Sequence, residues 1–524
     1  MSNTQVTHSA SAANARSESS MAINPHNPAQ MIAGSKKFTN PAAYEFTLAT
    51  AYSHNGGISW FDSADIPLLA GWSGISDPAI CWDNNGNAFL LALPFSNQPV
   101  VPGGEEDINV IGIAVYKSTN KGISWSAPNL LHTSAGDDKQ WIAGDKNNGN
   151  IYAVWDDGSN MRFARSLNHG SSWKGRGNEA VGSILTSDSF SPEINVADNG
   201  NIYICYIAGS NVKFIRSTDG GVSFSAPVII AFGVTTLGAA LPRPYGWPQF
   251  PGTSFRVLTL PTGCAGSANT VVVAWADMRE GSSRIYYRRS LDGGVTWAGS
   301  VYGDKLLTQF ISSSLHQFHP QIVSRPNGVI VCSFYEVGPK GLSGKMLIDV
   351  GLSYSYTNAF QFNNYSIVTD QPWDPAVDAP LSHGDPHVTF IGDYFGLDAS
   401  SKGVYPLWTD TRTGIQELFT NLPLEIKWPW LNKYLTYMRI IFGITNDGGG
   451  VYIDAQGHIH FVPPYGPGDP GPVIRELLDS MADYKTAAQV KGKEGVAIQK
   501  QALKTIITTA QSQLKKLGAQ KLKK

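Results

Sequence analysis

The sequence predicts an all-β chain folded as a seven-bladed β-propeller, with a six-bladed ring as the alternative and a small α+β or helical C-terminal appendage. Three observations predict it: a turn octapeptide that recurs five times, an Asn-Gly turn that alternates with it, and an unusual composition. Of 524 residues, 54 are Gly and 31 Pro, and only 15% are charged, against roughly 25% in an ordinary globular chain. That balance excludes a coiled coil, an all-helical protein or a disordered chain, and suits many short strands joined by tight turns.

The octapeptide reads SHNGGISW at 53–60, STNKGISW at 118–125, SLNHGSSW at 166–173, STDGGVSF at 217–224 and SLDGGVTW at 290–297. A worn copy keeps the register at Ser355, Thr357, Ala359 and Phe362. The pattern has a local mechanism. Asn55, Asn120, Asn168, Asp219 and Asp292 can each accept backbone N–H bonds inside a hairpin turn, and the following Gly supplies a positive φ. The closing aromatic is expected to pack between neighbouring sheets.

Asn85-Gly86, Asn148-Gly149, Asn199-Gly200 and Asn327-Gly328 each separate two apolar or β-branched runs, which is a strong hairpin signal. One unit then reads strand, Asn-Gly turn, strand, variable loop, strand, octapeptide turn, strand. That is a four-stranded propeller blade. Blade starts fall near Ser19, Asp77, Lys139, Pro192, Phe255, Phe318 and Asp393. The seventh unit stops after its third strand, so the segment around Thr4–Ser11 is expected to supply the missing outer strand. The domain reading is a polar leader and ring-closing strand at 1–17, a propeller at 18–426, a linker and hairpin at 427–472, and a basic helical segment at 473–524.

In such a blade both repeated turns lie on one face of the disc, and the remaining loops lie on the opposite, top face. The second strands end in a third repeat: Trp155-Asp-Asp157, Trp275-Ala-Asp277-Met-Arg279, Trp408-Thr-Asp410-Thr-Arg412, and Phe334-Tyr335-Glu336 in the same register. Two readings stand side by side. Each acid caps its own loop and pairs with the nearby Arg, or Asp157, Asp277, Glu336 and Asp410 rim the channel while Arg279 and Arg412 grip an anionic or sugar ligand. Ca2+ on the acid ring is the one cofactor the pattern allows, because a hard cation needs converging oxygens. Loops between blades add Asp137, Asp138, Asp188, Arg243, Tyr245, Trp247, His316, His319, Asp393 and Tyr394. They also carry His383 and His387, whose H-x3-H spacing is a weak metal signal. Trp247 and Tyr394 could stack on a sugar or fill the channel mouth.

The repeats resemble Asp-boxes, also called BNR repeats, the turn motif of sialidase-like propellers, in which they are structural turns. The resemblance covers residues 18–425 and is closest to bacterial BNR propellers often labelled exo-sialidase by similarity. It also rests on the opening Ala22-Ile-Asn-Pro-His-Asn-Pro28, on Arg284-Ile-Tyr-Tyr-Arg-Arg-Ser290 and on the closing Trp408–Arg412. Sialidases use three arginines on the substrate carboxylate, a Tyr–Glu nucleophile pair and an aspartate acid/base, with the first arginine in an Arg-Ile-Pro motif. This sequence has no Arg-Ile-Pro, and Arg16 is the only arginine before Ser53. The fragments that match are Arg279, Arg412 and the adjacent Tyr335 and Glu336. Asp277, Glu336, Tyr335 and Asp410 are therefore the catalytic candidates, with Asp277 and Glu336 the first pair to test.

Residues 485–524 carry ten Lys and one Glu, so a net charge of −2 hides an acidic body of −11. An acidic body is a poor nucleic-acid ligand. No run of eighteen apolar residues is present, and Met1–Arg16 lacks the apolar core of a Sec signal peptide. The resemblance implies an extracellular or surface protein. Four cysteines are too few for a disulfide scaffold. Beyond Leu424, a short helix to Phe442, a hairpin over Val451–Val462 carrying His458 and His460, and two amphipathic helices, Val473–Val490 and Glu494–Leu517, are expected. Those helices would self-associate, dock on a partner or touch an acidic membrane. The function expected is a non-catalytic propeller presenting a polar top face to a glycan or protein ligand. The alternative is a sialidase-like glycoside hydrolase.

Overall fold

A computed structural model of the chain describes residues 3–96, 109–266, 269–309, 311–341, 344–362, 364–421, 450–453 and 459–462. Two compact units emerge, one of Met1–Ser353 with Tyr365–Glu425, the other of Tyr354–Asn364 with Ile426–Lys524. The described residues between 3 and 421 form seven antiparallel sheets, which excludes the six-bladed alternative. Their first strands are Arg16–Ile23, Gly74–Trp82, Asp137–Gly144, Phe190–Val196, Thr262–Ala265, His316–Ser324 and Gly396–Ala399. Each packs against the next and the seventh against the first, so the ring is closed.

The seventh blade takes its outer strand from the N-terminus: Asn3, Thr4 and Gln5 pair with Asn421, Thr420 and Phe419. The segment 1–17 is thus more than a leader. Val6, Ala15, Arg16 and Ser17 are buried, and Arg16 opens the first strand of blade 1. The fifth blade starts at Thr262 rather than near Phe255. The intervening residues belong to a long top-face loop. Among the described residues the one α-helix is Leu237–Ala240, within that same loop.

The repeated turn closes identically in five blades. In blade 1 the Ser53 hydroxyl donates to Asn55 Oδ1 and accepts from Gly57 N, both at 2.9 Å, while Ser59 N donates to Asn55 Oδ1 at 3.0 Å. Asn120 and Asn168 repeat the last bond at 3.0 and 2.9 Å. Asp219 and Asp292 each accept two backbone N–H groups. The closing aromatics then join neighbouring blades, as Phe224 meets Phe163 at 4.9 Å and Trp297 meets Phe214 at 5.0 Å. Gly294, at φ +81°, sits so close that a Cβ would fall 2.2 Å from the Phe214 ring. Glycine is required there for both backbone conformation and approach.

The core lies in these inter-blade layers, where alternating strand residues bury one face against each neighbour. The four cysteines sit in them as buried free thiols. In the second unit Gly450–Ile453 pairs antiparallel with Ile459–Val462, Gly450 opposite Val462. Trp428 to Phe442, the turn at Gln456-Gly457, His458, and the helices expected over 473–490 and 494–517 lie outside the described residues. No helix among the described residues is long and apolar enough to cross a membrane.

Candidate functional site

Five of the seven first strands carry the same irregularity. Their pairing register slips between Ser17 and Ser20, Ser76 and Ala79, Asp138 and Trp141, Phe190 and Glu193, and Phe318 and Gln321. At each slip one non-glycine residue takes a left-handed backbone: Glu18, Asp77, Lys139, Ser191 and His319, with φ between 44° and 56°. A bulge with one residue at positive φ bends a strand and re-aims its side chain. Such strain gathers where structure over-determines it. Ring closure brings four of these side chains, Glu18, Asp77, Lys139 and His319, into one axial cluster.

The cluster is a lattice of buried charges. Lys139 Nζ lies 3.7 Å from Asp77 and Asp138 and 3.4 Å from Asp393. Lys36 Nζ lies 3.0 Å from Glu18 and 3.9 Å from Asp77, inside a cage of the Tyr44, Phe46 and Phe390 rings. The Arg256 guanidinium meets Asp393 at 2.9 Å, bonds the His383 ring, and lies between the Trp247 and Phe390 rings at 4.6 and 4.5 Å. Tyr394 OH donates to Asp77 at 3.0 Å. A cavity of about 20 Å3, lined among others by Lys139, Glu193, His319, Gln321 and Asp393, sits at the axis. That is room for a water, not for a sugar ring. His319 is 2% exposed, and its ring nitrogens make no hydrogen bond among the described residues.

Above the cluster, two blade-to-blade loops, 232–261 and 368–395, are stitched into a canopy. Thr389 N donates to Ser254 O at 2.8 Å and Arg256 N to Thr389 O at 3.2 Å. Trp247 stacks on His383 at 4.9 Å and 7°, and Tyr245 on His387 at 4.3 Å and 11°. Tyr245 and Arg243 are exposed. The two histidines of the H-x3-H spacing face different neighbours, His383 the Arg256 side chain and His387 the Asp385 carboxylate.

The second-strand acids stand one strand out from the axis, each engaged locally. Asp277 is fully buried, bonded by Trp275 Nε1, Thr235 N and Arg279. Asp410 repeats this with Trp408 Nε1 at 2.8 Å and Arg412 at 2.7 Å. Asp157 accepts from Ser134 and from two nitrogens of Arg162, and Glu336 from Gln317 and Tyr365. Asp277 and Asp410 cap their own loops through the backbone N–H of Arg279 and Arg412, Asp157 pairs with Arg162, and Glu336 is held by strand residues of its own blade, while the axis is lined by first strands. Tyr335 and Glu336, adjacent on a strand, point to opposite faces. Tyr335 is buried against blade 7, its hydroxyl accepting from Thr409 N at 2.9 Å. They are not a pair. His132, Asp137 and Asp157 do lie within metal-chelating reach of one another, but Arg162, Ser134 and Trp155 already occupy their oxygens.

Of the predicted ligand residues, Tyr394 joins the cluster and Trp247 packs on its Arg256, while Arg243 stands on the canopy. Glu18, Lys36, Asp77, Lys139 and Arg256 escaped the sequence reading as site residues. One signal was present: Asp77-Pro78, Ser191-Pro192, Leu260-Pro261 and His319-Pro320 recur at blade starts.

Burial, with Asp77 nearby, pushes the Glu18 carboxyl up to about 8. Burial likewise raises Glu193, Asp156 and Asp398 to about 7. Asp393, though buried, is held low by Arg256 and Lys139. Burial lowers His316 and His319 to about 4. The raised acids keep protons that the unfolded chain releases, so their stabilisation is present at low pH and lost as pH rises through 7–8. The buried histidines act oppositely, but only below about 6.5. Stability is therefore expected to fall from pH 6.5 to 8.5. Glu18→Gln should flatten that slope by roughly 1 kcal/mol per pH unit, read from urea midpoints at three pH values. Parallel curves for the two proteins would refute the assignment to Glu18.

No protein-family model matches the sequence, and no curated protein matches it. Among solved structures, a Dyadobacter fermentans protein of unknown function is similar at 14% identity and a TM-score of 0.41, over 67% of this chain and 98% of that one. The NanB sialidase of Streptococcus pneumoniae is similar at 13% and 0.42, over 63% of this chain and 66% of its own. A Trypanosoma rangeli sialidase is similar at 13% and 0.43, over 87% and 60%.

Proposed function

We propose that this chain is a non-catalytic binding propeller whose top face takes a glycan or protein ligand. The observation that carries this reading is the canopy, which holds the exposed Tyr245–His387 stack and the half-buried Trp247, stacked on the buried His383, over a lattice of paired charges. Stacked, preorganised aromatics bind at little entropic cost. A glycoside hydrolase needs two carboxyl groups flanking an open cleft, about 5–9.5 Å apart, whereas Asp277 is sealed under Arg279 and Trp275. The alternative, a sialidase-like hydrolase, keeps one supporting observation: Glu18 and Asp393 are two carboxyls of one cluster in different surroundings, Glu18 against Lys36 and Asp393 between Arg256 and Lys139, as acid and base partners are.

A panel of glycans and sialosides separates the two readings. Binding without turnover is expected. Turnover abolished by Glu18→Gln or Asp393→Asn, with Asp277→Asn and Glu336→Gln as further controls, would establish the hydrolase instead.

A further inference from the structure

Among the described residues, the top-face guanidiniums of Arg256, Arg279 and Arg412 have their forks occupied by protein partners, and Arg243 has one edge of its fork occupied. Arg243 spends Nε and Nη2 on the Gly238 carbonyl, at 3.0 and 2.6 Å. Arg412 spends Nε and Nη2 on Asp410 and Nη1 on Asp370. Arg279 bonds Asp277 and the Tyr302 carbonyl, and Arg256 bonds Asp393, His383 and Ser382. Bidentate capture of a carboxylated sugar needs such a fork. Breaking a buried ion pair to free one leaves an uncompensated charge.

The canopy and the cluster below it also carry no excess of positive charge. Arg243 and Arg256 stand with Asp385 and Asp393, and Lys36 and Lys139 with Glu18, Asp77 and Asp138. A surface without a positive excess does not steer an anion. What the canopy does offer is aromatic area. Tyr245 is 47% exposed and held flat by His387, and Trp247 is held flat by His383. A fixed aromatic face suits the apolar C–H face of a hexose ring, and Asp385 with the remaining Arg243 N–H groups can meet ring hydroxyls.

We infer that the canopy at Tyr245 and Trp247 is a binding site for neutral hexose glycans, and that acidic sugars are not its ligands. The inference rests on the glycan branch of the proposed function and narrows it. The test is calorimetry and saturation-transfer NMR on the full chain with β-linked gluco- and galacto-oligosaccharides, sialyllactose and oligogalacturonate. The neutral sugars are expected to bind and the two acidic ones not. Tyr245→Ala, at an exposed position, should weaken binding about tenfold with the circular dichroism spectrum and thermal midpoint unchanged. Trp247→Ala should do at least as much.

Binding of the acidic sugars alone overturns the neutral-sugar inference while leaving a glycan-binding propeller standing. Neutral sugars that bind Tyr245→Ala and Trp247→Ala as tightly as the parent protein overturn the placement on the canopy. Binding of none of the four overturns the glycan branch itself.

Discussion

Lys139→Met is expected to destabilise the propeller by about 3–5 kcal/mol. The ammonium is only 8% exposed and serves three carboxylates, Asp77, Asp138 and Asp393, within 3.7 Å. A methionine fills much of the same space but removes the compensating charge. Lys139 is also what most strongly holds Asp77 below the usual carboxylate range against the effect of burial. In the variant Asp77 and Asp393 rise, so they can escape the penalty by taking protons at low pH. The deficit is therefore smaller at pH 5 than at pH 8. Denaturant midpoints at the two pH values measure it. A deficit below about 1 kcal/mol, or one equal at both pH values, contradicts the axial lattice as described.

Removing residues 1–8 is expected to have a comparably large effect by a different route. Val6 is fully buried, its N–H donates to Leu418 O at 2.9 Å, and Leu418 N donates to Thr7 Oγ1 at 3.1 Å. Asn3 adds bonds to Val368 O and Asp370, all near 3.0 Å. Without these residues the strand Glu417–Asn421 becomes an unpaired edge and the seventh blade loses the strand pairing that ties it to the N-terminal segment. The truncated chain is expected to aggregate during size-exclusion chromatography and to unfold at a midpoint lowered by 10 °C or more, on the order of several kcal/mol. A synthetic peptide of residues 1–9 should restore a monodisperse species by strand addition. Truncated protein that stays monomeric and melts within about 2 °C of the parent would show that this strand is dispensable.

What was legible in the sequence follows the range of the interactions concerned. The octapeptide turns were legible because Ser53, Asn55, Gly57 and Ser59 bond one another within four residues. Local backbone geometry alone decides such contacts. The expectation of seven blades and of a missing strand in the seventh followed from spacing, since a four-stranded unit short of one strand leaves an edge, while the choice against six blades came from the seven sheets themselves. The loop-capping role of Asp277 and Asp410 was also readable, because each Trp and Arg partner stands two residues away.

The axial cluster was not readable in the same way. Glu18, Asp77, Lys139, Arg256, His319 and Asp393 are separated by about sixty residues or more from one to the next, and no local preference links them. Three of the Xaa-Pro steps, Asp77-Pro78, Ser191-Pro192 and His319-Pro320, fall on bulges but do not say which side chains meet. Tyr335 and Glu336 failed as a pair because strand alternation sends neighbours to opposite faces. Arg279 and Arg412 could be placed on the top face, yet their availability depends on what occupies their forks.

By itself the sequence determined the turns and the strands between them, and narrowed the ring to seven blades or six. All of these depend on contacts a few residues long and on periodicity. Tertiary structure decided which charges share the axis, which guanidiniums are spent and which aromatics reach the canopy surface. Those outcomes depend on partners brought together by closure of the ring, where a buried charge is stable only opposite its counter-charge.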